Sequence, residues 1–184
     1  FARFMAMNPS LPMPFRRYHM GPVWRADKPQ HGRFREFWQC DADIAGSDSY
    51  IADVEILNLA YDFFCEININ KFIIRINDRR VLNALLTHFS FMEQEFPDIL
   101  RSIDKLDKIG PECVENELVK KGYSVDNVSD LLSLLTMKLS LEESFAMLRD
   151  KVSKNKDGLE GIDCLEKIFN SLKSKSKGPG FFAL

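Results

Sequence analysis

Residues 23–43, VWRADKPQHGRFREFWQCDAD, decide how this chain is read. Pro29 and Gly32 put a turn in the middle, and the flanks suit extended strands over residues 16–25 and 35–45, an antiparallel hairpin with a long connection. Yet the strands carry arginines, a glutamine and aspartates where a sheet usually hides apolar groups. Strand side chains alternate faces with a period of two. Trp38, Cys40, Ala42 and Ile44 therefore share one face, suited to packing on a helix, and Arg35, Phe37, Gln39, Asp41 and Asp43 share the other. On the first strand Arg25 has the parity of His19, Gly21 and Val23, and Asp27 follows two residues later. Pairing of the strands is expected to bring Arg25 beside Gln39 and Asp43. A guanidinium can grip a phosphate with two hydrogen bonds at once, while an amide and carboxylates suit an ammonium group. Such a face fits a ligand pair of opposite charge, for instance a nucleotide phosphate and an amino acid. A plain solvated face with weak cross-strand ion pairs is the other reading, and spacing alone leaves both open.

Outward from the hairpin, Ser47, Asp48 and Ser49 offer N-cap groups, and Ile51, Val54, Leu57, Tyr61 and Phe64 recur at helical spacing. This predicts a helix over residues 49–66 lying with one face on the sheet. Residues 71–76, KFIIRI, read as a short strand, and Asp78 is placed to cap the helix RRVLNALLTHF. Pro9, Pro12 and Pro14 make the first fifteen residues irregular. Beyond about residue 93 only helical signals remain. Pro111 opens one helix that Lys120, Lys121 and Gly122 close, Ser140 and Glu143 form a capping box, and Ile162, Leu165, Ile168, Phe169 and Leu172 make the apolar face of a last helix. A small insert of three to five helices is expected, followed by a flexible basic linker, KSKSKGPG, and by FFAL, the beginning of a strand.

The bulk properties bound the answer. The 184 residues can hold one domain or a core with a small appended one. A chain 45% hydrophobic and 28% charged is expected to fold as a soluble globule. No apolar run is long enough to cross a bilayer. The net charge of −2 argues against a uniformly basic nucleic-acid binder but leaves room for a local basic site. Cys40, Cys65, Cys113 and Cys164 are scattered among His19, His31 and His88 without zinc spacing, so free thiols in a reducing compartment are expected and no protein metal ligand is assigned.

At the hairpin the sequence resembles the histidyl-tRNA synthetases, class II aminoacyl-tRNA synthetases, in their eukaryotic form. RRYHMGPVWRADKPQHGRFREFWQCDADIAG looks like the family's motif 2, a strand–loop–strand over about residues 15–45, and INDRRVLNALL and SIDKLDKIGPECVENEL resemble later segments. The resemblance implies an α+β fold: part of the class II antiparallel sheet with flanking helices, plus an all-helical insertion domain. It divides the chain into a partial catalytic core (1–93), the insertion (94–172), and a linker with the start of a core strand (173–184). Arg25 would hold the α-phosphate of ATP and be the catalytic residue. Asp27 would sit at the adenine end, in place of the commoner Glu, Arg33 would reach the distal phosphates, and adenine would stack on Phe37. Gln39 and Asp43 would hold the histidine substrate by its α-amino and carboxylate region. The implied reaction is activation of L-histidine with ATP and Mg²⁺, then transfer to tRNA(His), in a cytoplasmic homodimer that does not enter membranes, a mitochondrial form being the variant. Lys120, Lys121, Lys151, Lys154 and Lys156 of the insertion are candidates for RNA phosphate contacts, each equally suited to a solvated face. The family's motif 1, its Arg-Gly-Leu-Asp-Tyr-Tyr segment and motif 3 have no counterpart between Phe1 and Leu184, so an internal segment, inactive alone, is expected. The alternatives are a non-catalytic, synthetase-like regulatory subunit, an RNA-binding domain, and a class II enzyme for another amino acid.

Overall fold

The computed structural model describes residues 1–69, 71–173 and 180–183. It contains two compact units, Phe1–Ile69 and Asn70–Leu184. The first is built on the hairpin. Strands β1 (Phe15–Trp24) and β2 (Glu36–Ala45) pair antiparallel, with Phe15 opposite Ala45 and Trp24 opposite Glu36. The Arg25 amide donates to the Arg35 carbonyl at 2.8 Å and carries the ladder one step further. At the tip Gln30 and Arg33 exchange backbone hydrogen bonds around His31 and Gly32, whose φ of +73° suits glycine. Ahead of the hairpin is helix α1 (Ala2–Met7), so the irregular start expected from the prolines begins only at Pro9; the alanines and methionines before it are good helix formers.

Helix α2 (Tyr50–Glu66) follows the hairpin, with the Ser49 hydroxyl accepting from the Ile51 amide as expected of a cap. It is tied to β1 by Arg16, whose Nε and Nη2 donate to the two carboxylate oxygens of Glu55 at 2.6 and 2.9 Å. Two expectations about its packing are corrected. Ile51 is exposed, and Tyr61 is the large side chain of the helix that becomes buried. Trp38 and Cys40 do not reach the helix: Trp38 is 75% exposed, and with Tyr18, Met20 and Trp24 it leaves an open apolar face. Only Ala42 and Ile44, beside Glu55, Ile56 and Leu59, end at the helix. A ten-residue strand runs about 33 Å, whereas one helix is about 10 Å across, so α2 can cover only one end of the ladder.

The second unit opens with β3 (Phe72–Arg75), paired in parallel with β4 (Gly180–Ala183), so the strand expected in FFAL forms. Most of the linker expected before it lies outside the described residues. Asp78 caps helix α3 (Arg79–His88), accepting from the Arg80 amide at 2.8 Å. A short 3-10 turn at Glu93–Glu95 leads into α4 (Phe96–Ile103), the single turn α5 (Leu106–Ile109), α6 (Pro111–Lys120), α7 (Val125–Thr136), α8 (Leu141–Lys151) and α9 (Lys156–Leu172). That makes six described helices after residue 93 rather than three to five. The extra count arises because Gly110, at φ +79°, separates α5 from α6. The Ser140–Glu143 capping box forms with both of its hydrogen bonds.

The core lies in this unit. Leu86, Ile99, Val114, Leu118, Val128 and Leu131 are sealed from solvent between α3, α4, α6 and α7. Ile162, Leu165, Ile168, Phe169 and Leu172 bury the predicted face of α9. Helix α9 packs on α3 at Gly158 and Gly161. A Cβ on Gly158 would stand 2.5 Å from the Ala84 Cβ, so the helices approach as closely as a glycine allows.

Candidate functional site

The register of the hairpin fixes which residues meet. Val23 lies opposite Phe37, Gly21 opposite Gln39, His19 opposite Asp41 and Arg17 opposite Asp43. All belong to the face that parity marked out, together with Arg25 and Arg35. Phe37, Gln39, Asp41 and Asp43 are each half-buried, while Trp38 and Cys40 between them are exposed. The polar face is thus the more covered of the two.

At one end of this face Arg25 is held by two neighbours. Its Nη2 donates to Gln39 Oε1 at 3.2 Å, and its guanidinium carbon lies 5.1 Å from the centre of the Phe37 ring. The loop side chains make contacts of their own. Arg33 Nη2 is 3.1 Å from Asp27 Oδ2, and Arg35 Nε donates to the Asp27 carbonyl at 3.2 Å. Asp27, two residues after Arg25, therefore draws Arg33 back toward the strand end. Five of the expected site residues thus fall into two neighbouring groups, Arg25 with Phe37 and Gln39 and Asp27 with Arg33, linked through the backbone bond between Arg25 and Arg35; together they offer two cations, an amide, a ring and a carboxylate. Their chemistry suits a polyanion carrying an aromatic group.

Asp43 is not part of either group. It lies four residues beyond Gln39, about 13 Å along the strand, and pairs with Arg17, whose Nη2 is 2.6 Å from Asp43 Oδ2. The expectation that Arg25 would sit beside Asp43 is corrected accordingly. Arg17 is the residue that sequence reading missed, although its odd number places it on the same face. The guanidinium of Arg17 also lies 4.4 Å from the centre of the Phe1 ring, which stacks on Phe15 at 6.4 Å.

The lysines of the second unit are not equivalent. Lys121 Nζ is held at 3.1 Å from Asp98 and 3.2 Å from Glu117, and Lys156 lies 3.7 Å from Glu160. The cysteines are free thiols, Cys40 and Cys113 exposed. Among the described residues no group of three or more His, Cys, Asp or Glu side chains could hold a metal ion, and no helix is long and apolar enough to cross a membrane.

Comparison with known proteins gives this geometry a family. The profile described as histidyl-tRNA synthetase matches residues 1–179. The chain is 39% identical to the histidine–tRNA ligase of Cytophaga hutchinsonii over 179 residues, which is 97% of this chain and 39% of that protein. It is 41% identical to the histidine–tRNA ligase of Aeropyrum pernix over 174 residues, 95% of this chain and 40% of that protein. The chain thus spans about two fifths of the length of these relatives, which are bacterial and archaeal, so the eukaryotic form expected from the sequence is not supported by them. Among solved structures, the histidyl-tRNA synthetase of Nostoc superposes with a TM-score of 0.86 at 26% identity, over 100% of this chain and 43% of its own. A Bacillus halodurans protein described as an ATP phosphoribosyltransferase regulatory subunit/histidyl-tRNA synthetase superposes at 0.76 with 21% identity, a likeness of fold alone. Through the hairpin, its polar face and this similarity along nearly its whole length, the chain belongs to the histidyl-tRNA synthetase family.

Proposed function

We propose that this chain is the part of a histidine–tRNA ligase that grips ATP and histidine. The observation that carries the reading is Arg25, held between the Phe37 ring and the Gln39 amide on the polar face of the hairpin. In this reading adenine stacks near Phe37 and Asp27, and Arg33 takes the distal phosphates. Arg25 takes the α-phosphate, where negative charge builds as the histidine carboxylate attacks and pyrophosphate leaves. Gln39 and, farther along the strand, Asp43 hold the amino acid. The order Phe37, Gln39, Asp43 along β2 suits a substrate pair joined end to end at the phosphate. Mg²⁺ accompanying ATP would supply charge neutralisation for the leaving pyrophosphate. Little acid–base work is required, since the attacking carboxylate is already ionised at neutral pH. The adenylate then passes its histidyl group to tRNA(His).

The same reading makes the helices over residues 94–172 an insertion domain directed at the tRNA. The working enzyme is a cytoplasmic homodimer. The eukaryotic ascription rests on the character of the hairpin and insertion segments, and comparison of full-length relatives decides it. A regulatory, non-catalytic role is disfavoured because such relatives have no need of Arg25, Gln39 and Asp43 together. Amino-acid specificity is tested by heating the natural polypeptide that carries this chain with ATP and each of the twenty amino acids in turn. A ligand at a hundred times its Kd stabilises the folded state by about 2.7 kcal/mol. Histidine is expected to raise the melting temperature and the others to leave it unchanged; protection by a different amino acid would overturn the assignment.

A further inference from the structure

Arg17 and Asp43 differ from the other ion pairs of the molecule. They face each other directly across the ladder, on the same side as Gln39, Phe37 and Arg25. Arg17 is 26% exposed at its side chain, less than any other ion-paired arginine described. Its Nε and the Asp43 Oδ2 are both shut off from solvent, and neither has an aligned hydrogen-bond partner among the described residues. The 2.6 Å contact of Nη2 with Oδ2 is therefore a charge contact rather than the two-pronged bond that Arg16 makes with Glu55. With the Phe1 ring against its guanidinium, Arg17 is held from two directions.

We propose that Arg17 is the positioning residue for recognition of the substrate's ammonium group. It acts through Asp43, and the proposal rests on the reading of Asp43 as the ammonium-binding carboxylate. Arg17 anchors Oδ2 in the solvent-excluded layer, which fixes the plane of the carboxylate and leaves Oδ1 as the oxygen offered to a ligand. Its delocalised charge is drawn toward Oδ2 and the Phe1 ring, away from the incoming cation. Without it, Asp43 would keep a desolvated, unpartnered oxygen and would swing toward water to satisfy it. The amino acid would then lose an oriented partner, while the nucleotide end at Phe37, six residues and about 20 Å away along the strand, would be unaffected.

The test measures ATP–pyrophosphate exchange by the natural polypeptide that carries this chain, as wild type and as Arg17→Met, Arg17→Lys, Asp43→Asn and the Arg17→Met/Asp43→Asn double variant. Arg17→Met should raise the KM for histidine about tenfold and leave the KM for ATP within about twofold, and Arg17→Lys should give a rise of about threefold. Inhibition by imidazolepropionate, which lacks the ammonium group, should not change. In the double variant the two effects should not multiply, since both remove one interaction. Three results would overturn the proposal: an unchanged histidine KM, an equal rise in both KM values and in the inhibition constant, or independent effects in the double variant. If Asp43→Asn itself leaves the histidine KM unchanged, the reading of Asp43 fails and this proposal falls with it. If Asp43→Asn raises the KM and Arg17→Met does not, only the role of Arg17 fails. Should Arg17→Met not fold, Arg17→Lys decides, a shift confined to histidine supporting the proposal and any other result sinking it.

Discussion

Phe37 shows how far a single residue could be read. Its parity put it on the polar face, and the structure sets it under Arg25. The partner of Asp43 was not legible. A shift of two residues leaves every side chain on its face but changes every partner. Here the connection is uneven: Ala26 to Pro29 lie between the last ladder step and the tip on one arm, and Phe34 alone on the other. Counting inward from Pro29 and Gly32 therefore does not yield the register, and Arg17 was not matched with Asp43. Removing the Phe37 ring deletes a base-stacking surface of about 1–3 kcal/mol and the support under Arg25. Phe37→Ala should raise the KM for ATP by about ten- to a hundredfold in pyrophosphate exchange, with a far smaller change for histidine. Equal changes in both would place adenine elsewhere.

At the scale of elements, local signals were the most readable. The caps at Ser49, Asp78 and Ser140 form where side-chain spacing placed them, because a cap is decided by two or three adjacent residues. Packing between elements was less readable. Alternation alone placed Trp38 and Cys40 against α2, but the extent of a helix across a strand is not written in alternation. The α3–α9 contact offers a direct test of packing against propensity. Alanine is favoured over glycine within a helix by about 1 kcal/mol, whereas overfilling a close contact costs about 1–3 kcal/mol. The Cβ of Gly158→Ala would meet Ala84 at 2.5 Å and Val152 at 3.2 Å, atoms near the backbone that cannot swing aside. Packing should win, with a net loss of about 1 kcal/mol in urea denaturation. Restoring the gap with Ala84→Gly should make the pair less than additive in its cost. A stabilised Gly158→Ala would mean that the helices are farther apart than described.

For the whole molecule, the second unit also carries an acid-sensitive network. Glu117 on α6 receives Lys105 at 2.8 Å, the buried Ser102 hydroxyl at 2.9 Å, and Lys121. These hydrogen bonds, that from Lys105 foremost, pull its pKa from 4.5 down to about 2. A depressed carboxylate contributes stability above its unfolded pKa and loses it as pH falls through its folded one. The contribution should therefore be intact at pH 7 and fade between about 4.5 and 2. Glu117→Gln should be less stable than wild type at neutral pH, with the difference shrinking across that window in denaturant titrations. A difference constant with pH would remove the network from the account. Helix content and class were legible in this unit because its apolar stripes are strong. Its six-helix division was not, since a single turn such as α5 has no stripe to read.

The central claim, that the polar face of the hairpin activates histidine through Arg25, is tested most directly by histidine-dependent ATP–pyrophosphate exchange with the natural polypeptide carrying this chain, as wild type and as Arg25→Gln. The account predicts exchange that requires histidine in the wild type and falls by about a hundredfold or more in Arg25→Gln, with the circular dichroism and melting temperature retained. A near-normal rate in Arg25→Gln would contradict it.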